Sequence, residues 1–162
     1  MLPKVYVETT IVSYLTAWPH RDETVLAHQQ STKDWWQTAR ERYELFASDV
    51  VYDECSRGDV SAAEARLDVL ATLALLNTTE IAKSLAARLL STKAVPAVAA
   101  EDALHIAIAA VNGLDYLLTW NIRHINNDAQ RAHVERVCFD AGFKPPRICS
   151  PEFLLLEDHH AD

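Results

Sequence analysis

Four oxygen-bearing side chains, far apart along the chain, stand where they could act together: Glu8, Glu54, Asp102 and Asn121. Each falls just past a predicted strand or on the helix that follows one. Three carboxylates and an amide form an oxygen-only donor set of the kind that suits Mg²⁺ or Mn²⁺, ions that keep several waters and bind phosphate oxygens. Such an ion activates water for in-line attack at phosphorus and neutralises the developing charge, so no serine, cysteine or histidine nucleophile is needed. Glu8, Glu54 and Asp102 are the expected metal ligands, and Asn121 completes the expected catalytic set.

Taken singly, these residues have plainer roles. Glu8 is equally an acidic residue favouring a helix start, and Glu54, judged alone, reads better as a residue of a solvated face. Asp102 says more, because the residues after it, Ala-Leu-His-Ile-Ala-Ile-Ala-Ala, are apolar almost all round a helix. A carboxylate entering so buried a helix needs partners or a metal. Its neighbour Glu101 points about 100° away and is expected to be exposed. Thr9, His105, Thr119 and Trp120 are the candidate substrate contacts. His105 shares a helix face with Asp102, with a buried, hydrogen-bonded packing role as its alternative. Trp120, beside the expected site, offers a surface for stacking on a base.

These positions need elements to bring them together. Val5-Tyr6-Val7 reads as a buried first strand, with a helix from about Ile11 to before Pro19. Residues 22–46 read as one or two helices with a break near Ser31, and Ala47-Ser48 as the end of a second strand. Asp49 is the predicted N-cap of a short helix carrying Glu54 and Cys55, with Gly58 at its C-cap. A helix over 61–71, a strand over 73–76 and a helix over 79–91 follow. Beyond Pro96 come the apolar helix over 100–111, a strand over 116–119, a helix over 129–141 and a strand over 147–149. A last helical turn starts at Pro151 with Ser150 as cap. Strands alternating with helices predict an α/β protein whose central parallel sheet, of four or five strands, is covered on both faces. Ligands of such sheets collect at the carboxyl ends of the strands.

Composition limits the choices. The chain has 162 residues, 49% hydrophobic and 23% charged, which suits one domain over residues 1–162. No apolar run approaches the roughly 20 residues that span a bilayer. The N-terminus reads as a strand rather than a signal peptide, so a cytoplasmic protein with no membrane segment is expected. Cys55, Cys138 and Cys149 lack C-x-x-C spacing and read as reduced core thiols, while His159-His160 reads as part of a solvated tail. A net charge of −8 argues against a protein that coats nucleic acid by charge alone, but not against a nuclease whose carboxylates hold metal. With three glycines in all, no Gly-rich turn follows the first strand, which disfavours a nucleotide-binding cradle. An apolar first helix and a Trp-rich second segment point to a homodimer.

The stretches Val5-Tyr6-Val7-Glu8-Thr9-Thr10-Ile11, Ser48-Asp49-Val50-Val51-Tyr52-Asp53-Glu54, Glu101-Asp102-Ala103-Leu104-His105-Ile106-Ala107 and Asp115-Tyr116-Leu117-Leu118-Thr119-Trp120-Asn121 occur in the order seen in PIN-domain proteins. Together they resemble the VapC-type toxins of bacterial type II toxin–antitoxin systems. The resemblance implies a three-layer α/β/α sandwich, Mg²⁺- or Mn²⁺-dependent endoribonuclease activity on RNA, homodimerisation and inhibition by a small antitoxin protein. By position Glu8, Glu54 and Asp102 match the family's first three acidic residues. Two departures stand out: the first is usually Asp, and the fourth acidic position is here Asn121. They leave open an alternative of another class, a PIN-like module with weak or no catalysis that binds RNA or a protein.

Overall fold

The computed structural model describes residues 1–161. The elements in chain order are β1 (Lys4–Val7), α1 (Thr9–Thr16), α2 (Glu23–Arg42), β2 (Glu44–Ser48), α3 (Asp49–Cys55), α4 (Val60–Leu70) and β3 (Ala74–Leu76), then α5 (Glu80–Ser91), α6 (Ala100–Val111), β4 (Tyr116–Leu118), α7 (Asp128–Asp140), β5 (Arg147–Cys149) and α8 (Pro151–Ala161). All strand pairs are parallel, in the order β3-β2-β1-β4-β5. This is the expected α/β/α sandwich with five strands. Val5, Tyr6 and Val7 have no exposed surface, because the first strand lies at the centre and is covered on both faces. Tyr6 lies between Phe46 of β2 and Leu117 of β4.

The helices fall into two packed groups, α1, α2, α4 and α8 in one and α5, α6 and α7 in the other, with α3 touching members of both. α6 packs along α5, where Ala82 and Ala86 face a helix whose Ala103, Ala107 and Ala110 are also buried. Cys55, Cys138 and Cys149 are free thiols inside the core.

Several boundaries differ from the sequence reading. α2 runs unbroken past Ser31, capped by Asp22, whose carboxylate accepts the Val25 N–H at 3.0 Å. No proline or glycine interrupts those residues, so nothing there breaks the helix. Tyr43 leaves the helix in an extended conformation, and residues 44–46, expected to be helical, form β2 instead. Pairing with β1 along 44–46, and with β3 from Phe46 onward, sets the conformation where local preference is weak. Ser48, not Asp49, caps α3: its Oγ accepts the Val51 N–H, while Asp49 binds the backbone N–H and hydroxyl of Thr78. α3 ends at Cys55, ahead of the expected C-cap at Gly58, and Gly58 makes the following turn at φ +86°. The last helical turn is an eleven-residue helix, which places His159 and His160 on α8 rather than in a tail.

Candidate active site

The sheet order reverses at β1: the chain moves to β2 and β3 on one side, then crosses to β4 and β5 on the other. The crevice outside the carboxyl ends of β1 and β4 is therefore the switch point where such sheets bind ligands. Glu8 directly follows β1, and Thr119, Trp120 and Asn121 follow β4.

Glu8 caps α1 and is only 3% exposed. Its Oε1 accepts from the hydroxyls of Thr10 and Thr119, both at 2.6 Å, and its Oε2 from the Thr10 N–H at 3.0 Å. The Thr10 hydroxyl also accepts the Trp120 N–H at 2.9 Å, so Glu8 ties the start of α1 to the end of β4. Burial pushes the Glu8 carboxyl above its ordinary value, against the lowering effect of His105, Thr10 and Thr119. A value raised above the unfolded 4.5 stabilises the fold fully below that pH, and the contribution is lost as pH rises through the raised value. Glu8→Gln should remove this loss. The thermal midpoint of the variant is expected to gain on that of the wild type as pH rises from about 4.5 to neutrality, and parallel melting curves would contradict the assignment.

Glu54, on α3, has a side chain 19% exposed. Its Oε1 accepts from the Thr9 hydroxyl at 2.8 Å and meets His105 Nε2 at 2.6 Å. Burial alone would raise its pKa, but the bonds from His105 and Thr9 and the His105 charge outweigh it and the net direction is down. Asp102 lies in the first turn of α6, whose N-terminus has no side-chain cap. Its Oδ1 accepts from Asn121 Nδ2 at 3.3 Å, and its Oδ2 meets His124 Nδ1 at 3.1 Å. Burial raises the Asp102 pKa and Glu54 adds to it, while His105 and His124 pull the other way. Asn121 folds the turn after β4: its N–H donates to the Thr119 hydroxyl, and its Oδ1 accepts the His124 N–H.

His105 is fully buried; Glu54 bonds to it, and Glu8 and Asp102 act on it by charge. Burial disfavours its charge, but Glu54, Glu8 and Asp102 outweigh that and raise its pKa. Among the described residues, however, no three His, Cys, Asp or Glu side chains gather closely enough to form a ready-made ion site. Protein hydroxyl, amide and imidazole groups engage each carboxylate instead. Glu101 is half-exposed and paired with Arg57 at 2.8 Å.

Of the candidate substrate contacts, Thr9 is half-buried against Glu54, and Thr119 and His105 are sealed inside. Trp120 is 9% exposed, its ring stacked on His28 at 4.0 Å and near Tyr14, and its Nε1 donates to Thr32. It is a packing residue here, not the open stacking surface expected. Sequence reasoning passed over Tyr6, Ser48, Thr10 and His124. The available signals were a tyrosine in a strand of valines and a histidine three residues after Asn121. A cavity of about 520 Å³ lies elsewhere, at the starts of β4 and β5, lined by Asp115, Tyr116, Arg131 and Arg147 among others. It is at the amino ends of the strands, away from the carboxylates.

No family model matches the chain, and no curated protein sequence does. Solved structures do share its PIN-type α/β/α fold. VapBC2 from Rickettsia felis, bound to a DNA fragment from its promoter, superposes with a TM-score of 0.59 at 13% identity, covering 90% of this chain and 97% of that one. Mycobacterium tuberculosis VapC20, a toxin that cleaves the sarcin-ricin loop, gives 0.58 at 17% identity, over 74% of this chain and 92% of its own. At these identities the likeness is one of fold.

Proposed function

We propose that this protein is a toxin-type endoribonuclease that hydrolyses RNA phosphodiester bonds at a site formed by Glu8, Glu54, Asp102 and Asn121, with Mg²⁺ or Mn²⁺ as cofactor. The observation that carries the reading is the hydrogen bonding that links these residues past the carboxyl ends of β1 and β4 in a VapC-like fold: Glu54 to His105, Glu8 to Thr119, and Asn121 to both Thr119 and Asp102. The donor set fits the ion in its chemistry. Mg²⁺ keeps several waters and takes one or two carboxylates rather than a full protein cage. Glu54 and Asp102, the two carboxylates that keep some exposure, would hold it. When bound, the ion supplies Lewis acidity toward the phosphate and offsets its charge.

The chain's own groups prepare the site. Thr9 and His105 fix the Glu54 carboxylate, and Asn121 and His124 fix both oxygens of Asp102. Glu8 accepts from Thr10 and Thr119 and so ties the start of α1 to the end of β4. The test is cleavage of a mixed RNA pool with Mn²⁺, with Mg²⁺ and with chelator; cleavage that persists in chelator would falsify the metal requirement. Asn121→Asp should strengthen Mn²⁺ binding, read by calorimetry. It should also lower the metal-free melting temperature, because its new carboxylate would face Asp102 where an amide now donates.

A second reading, a module that binds RNA or a protein without cutting, is favoured by the protein donors already on each carboxylate. RNA retained without cleavage under either metal would select it. A small antitoxin partner, self-association and a cytoplasmic setting belong to the leading reading. Among the described residues no helix is long and apolar enough to cross a membrane, and light scattering tests the homodimer.

A further inference from the structure

A chain of hydrogen bonds leads from Ser48 to Glu54 and is closed into a circuit by α3 itself. Ser48 Oγ, which caps the start of α3, lies 2.7 Å from the Tyr6 hydroxyl. The Tyr6 hydroxyl lies 2.6 Å from His105 Nδ1, and His105 Nε2 lies 2.6 Å from Glu54 Oε1, near the other end of α3. Ser48, Tyr6 and His105 have no exposed surface. We propose that Tyr6 is a positioning residue: acting through His105, it fixes the carboxylate of Glu54, and Ser48 anchors the circuit to the helix that carries Glu54.

An ionised carboxylate only accepts, so His105 Nε2 must carry a hydrogen. The opposite nitrogen, sealed from water, then needs a partner that serves either charge state of the ring. A hydroxyl meets that need, since it donates to a bare nitrogen and accepts from a protonated one. Rotating the imidazole by half a turn would put carbon against both Tyr6 and Glu54, so two-ended anchoring selects one orientation. Tyr6 can hold that geometry firmly because it sits in the central strand, edge-on to the His105 ring with centroids 5.6 Å apart. A Phe at that position would keep the packing and lose only the hydroxyl.

This inference rests on Glu54 belonging to the active site, and the experiment separates the two. RNA cleavage with Mn²⁺ is measured for wild type, Glu54→Gln, Tyr6→Phe, His105→Gln, His105→Asn and His105→Leu. Glu54→Gln is expected to be inactive. Tyr6→Phe should lower kcat by about 10- to 100-fold, as loss of an outer partner does, and leave KM within about twofold. His105→Gln keeps a donor where Nε2 stood, so it should exceed His105→Asn and His105→Leu, an ordering that packing alone does not produce. Nitrogen-correlated NMR of the wild-type imidazole, which depends on no variant folding, should show Nε2 protonated at neutral pH. Wild-type cleavage by Glu54→Gln overturns the site itself. Wild-type cleavage by Tyr6→Phe beside an inactive Glu54→Gln, or a bare Nε2 in the wild type, overturns the positioning role alone.

Discussion

Asp102→Asn is expected to reduce RNA cleavage by on the order of a thousandfold or more while leaving the fold in place. The carboxylate stands at the uncapped start of α6, where the helix presents free N–H groups and a partial positive charge. His124 and Asn121 hold its two oxygens, and its side chain keeps 18% of its surface exposed. The amide has nearly the same shape but lacks the charge that an ion would need there. Stability should change little, because two effects oppose. An amide nitrogen turned toward Asn121 meets a donor, which costs about 1–3 kcal/mol, whereas one turned toward His124 can be accepted by Nδ1 in the other ring tautomer. Against that, burial already disfavours the ionised form of Asp102, and the amide relieves this. The check is initial rates on one RNA pool beside thermal melts of both proteins. A variant that keeps more than a small fraction of wild-type activity would remove Asp102 from the chemistry.

Trp35→Ala is expected to carry the largest stability cost, about 3–5 kcal/mol, because it opens a cavity beneath α2. Trp35 is 1% exposed and packs against Trp36 and Tyr43 with ring centroids about 6 Å apart. Trp35→Phe should behave differently. The indole Nε1 is buried with no hydrogen-bond partner, and an unsatisfied donor costs about 1–3 kcal/mol. Removing it offsets much of the lost apolar area, so Trp35→Phe should stay within about 1 kcal/mol of wild type. Denaturant titration of the three proteins decides. If Phe costs as much as Ala, the indole N–H has a partner, and the offset fails.

The sequence made some features readable and hid others for physical reasons. The central strand announced itself because Val5-Tyr6-Val7 is apolar on both faces, as burial between two helical layers demands. Asp102 stood out because it enters a helix that is buried from Ala103 to Ala110 apart from Leu104. The end of α2 and the start of β2 were not readable. Residues 43–46 have no strong local preference, and their conformation is set by strands that lie far away in the chain. The exposure of Trp120 was misjudged because its neighbours, His28 and Tyr14, come from α2 and α1, whose packing no local pattern encodes. The partners of the carboxylates were hidden for the same reason: a threonine, a tyrosine or a histidine gains its role only when the fold brings an acid to it.

The central place of β1 has a consequence for the order in which the proposed site can assemble. Its first strand is made first, yet one of its two sheet neighbours, β4, is synthesised only after residue 115. The bond from Thr119 to Glu8 spans 111 positions and that from Tyr6 to His105 spans 99. Contacts this distant in sequence form late, since the loop between them must close before they reward it. A chain still emerging during translation holds Glu8 and Glu54 but lacks the groups that orient Asp102. The proposed site is therefore gated by chain length: no fragment that stops short of residue 124 can hold both Glu8 and Asp102 with all their partners.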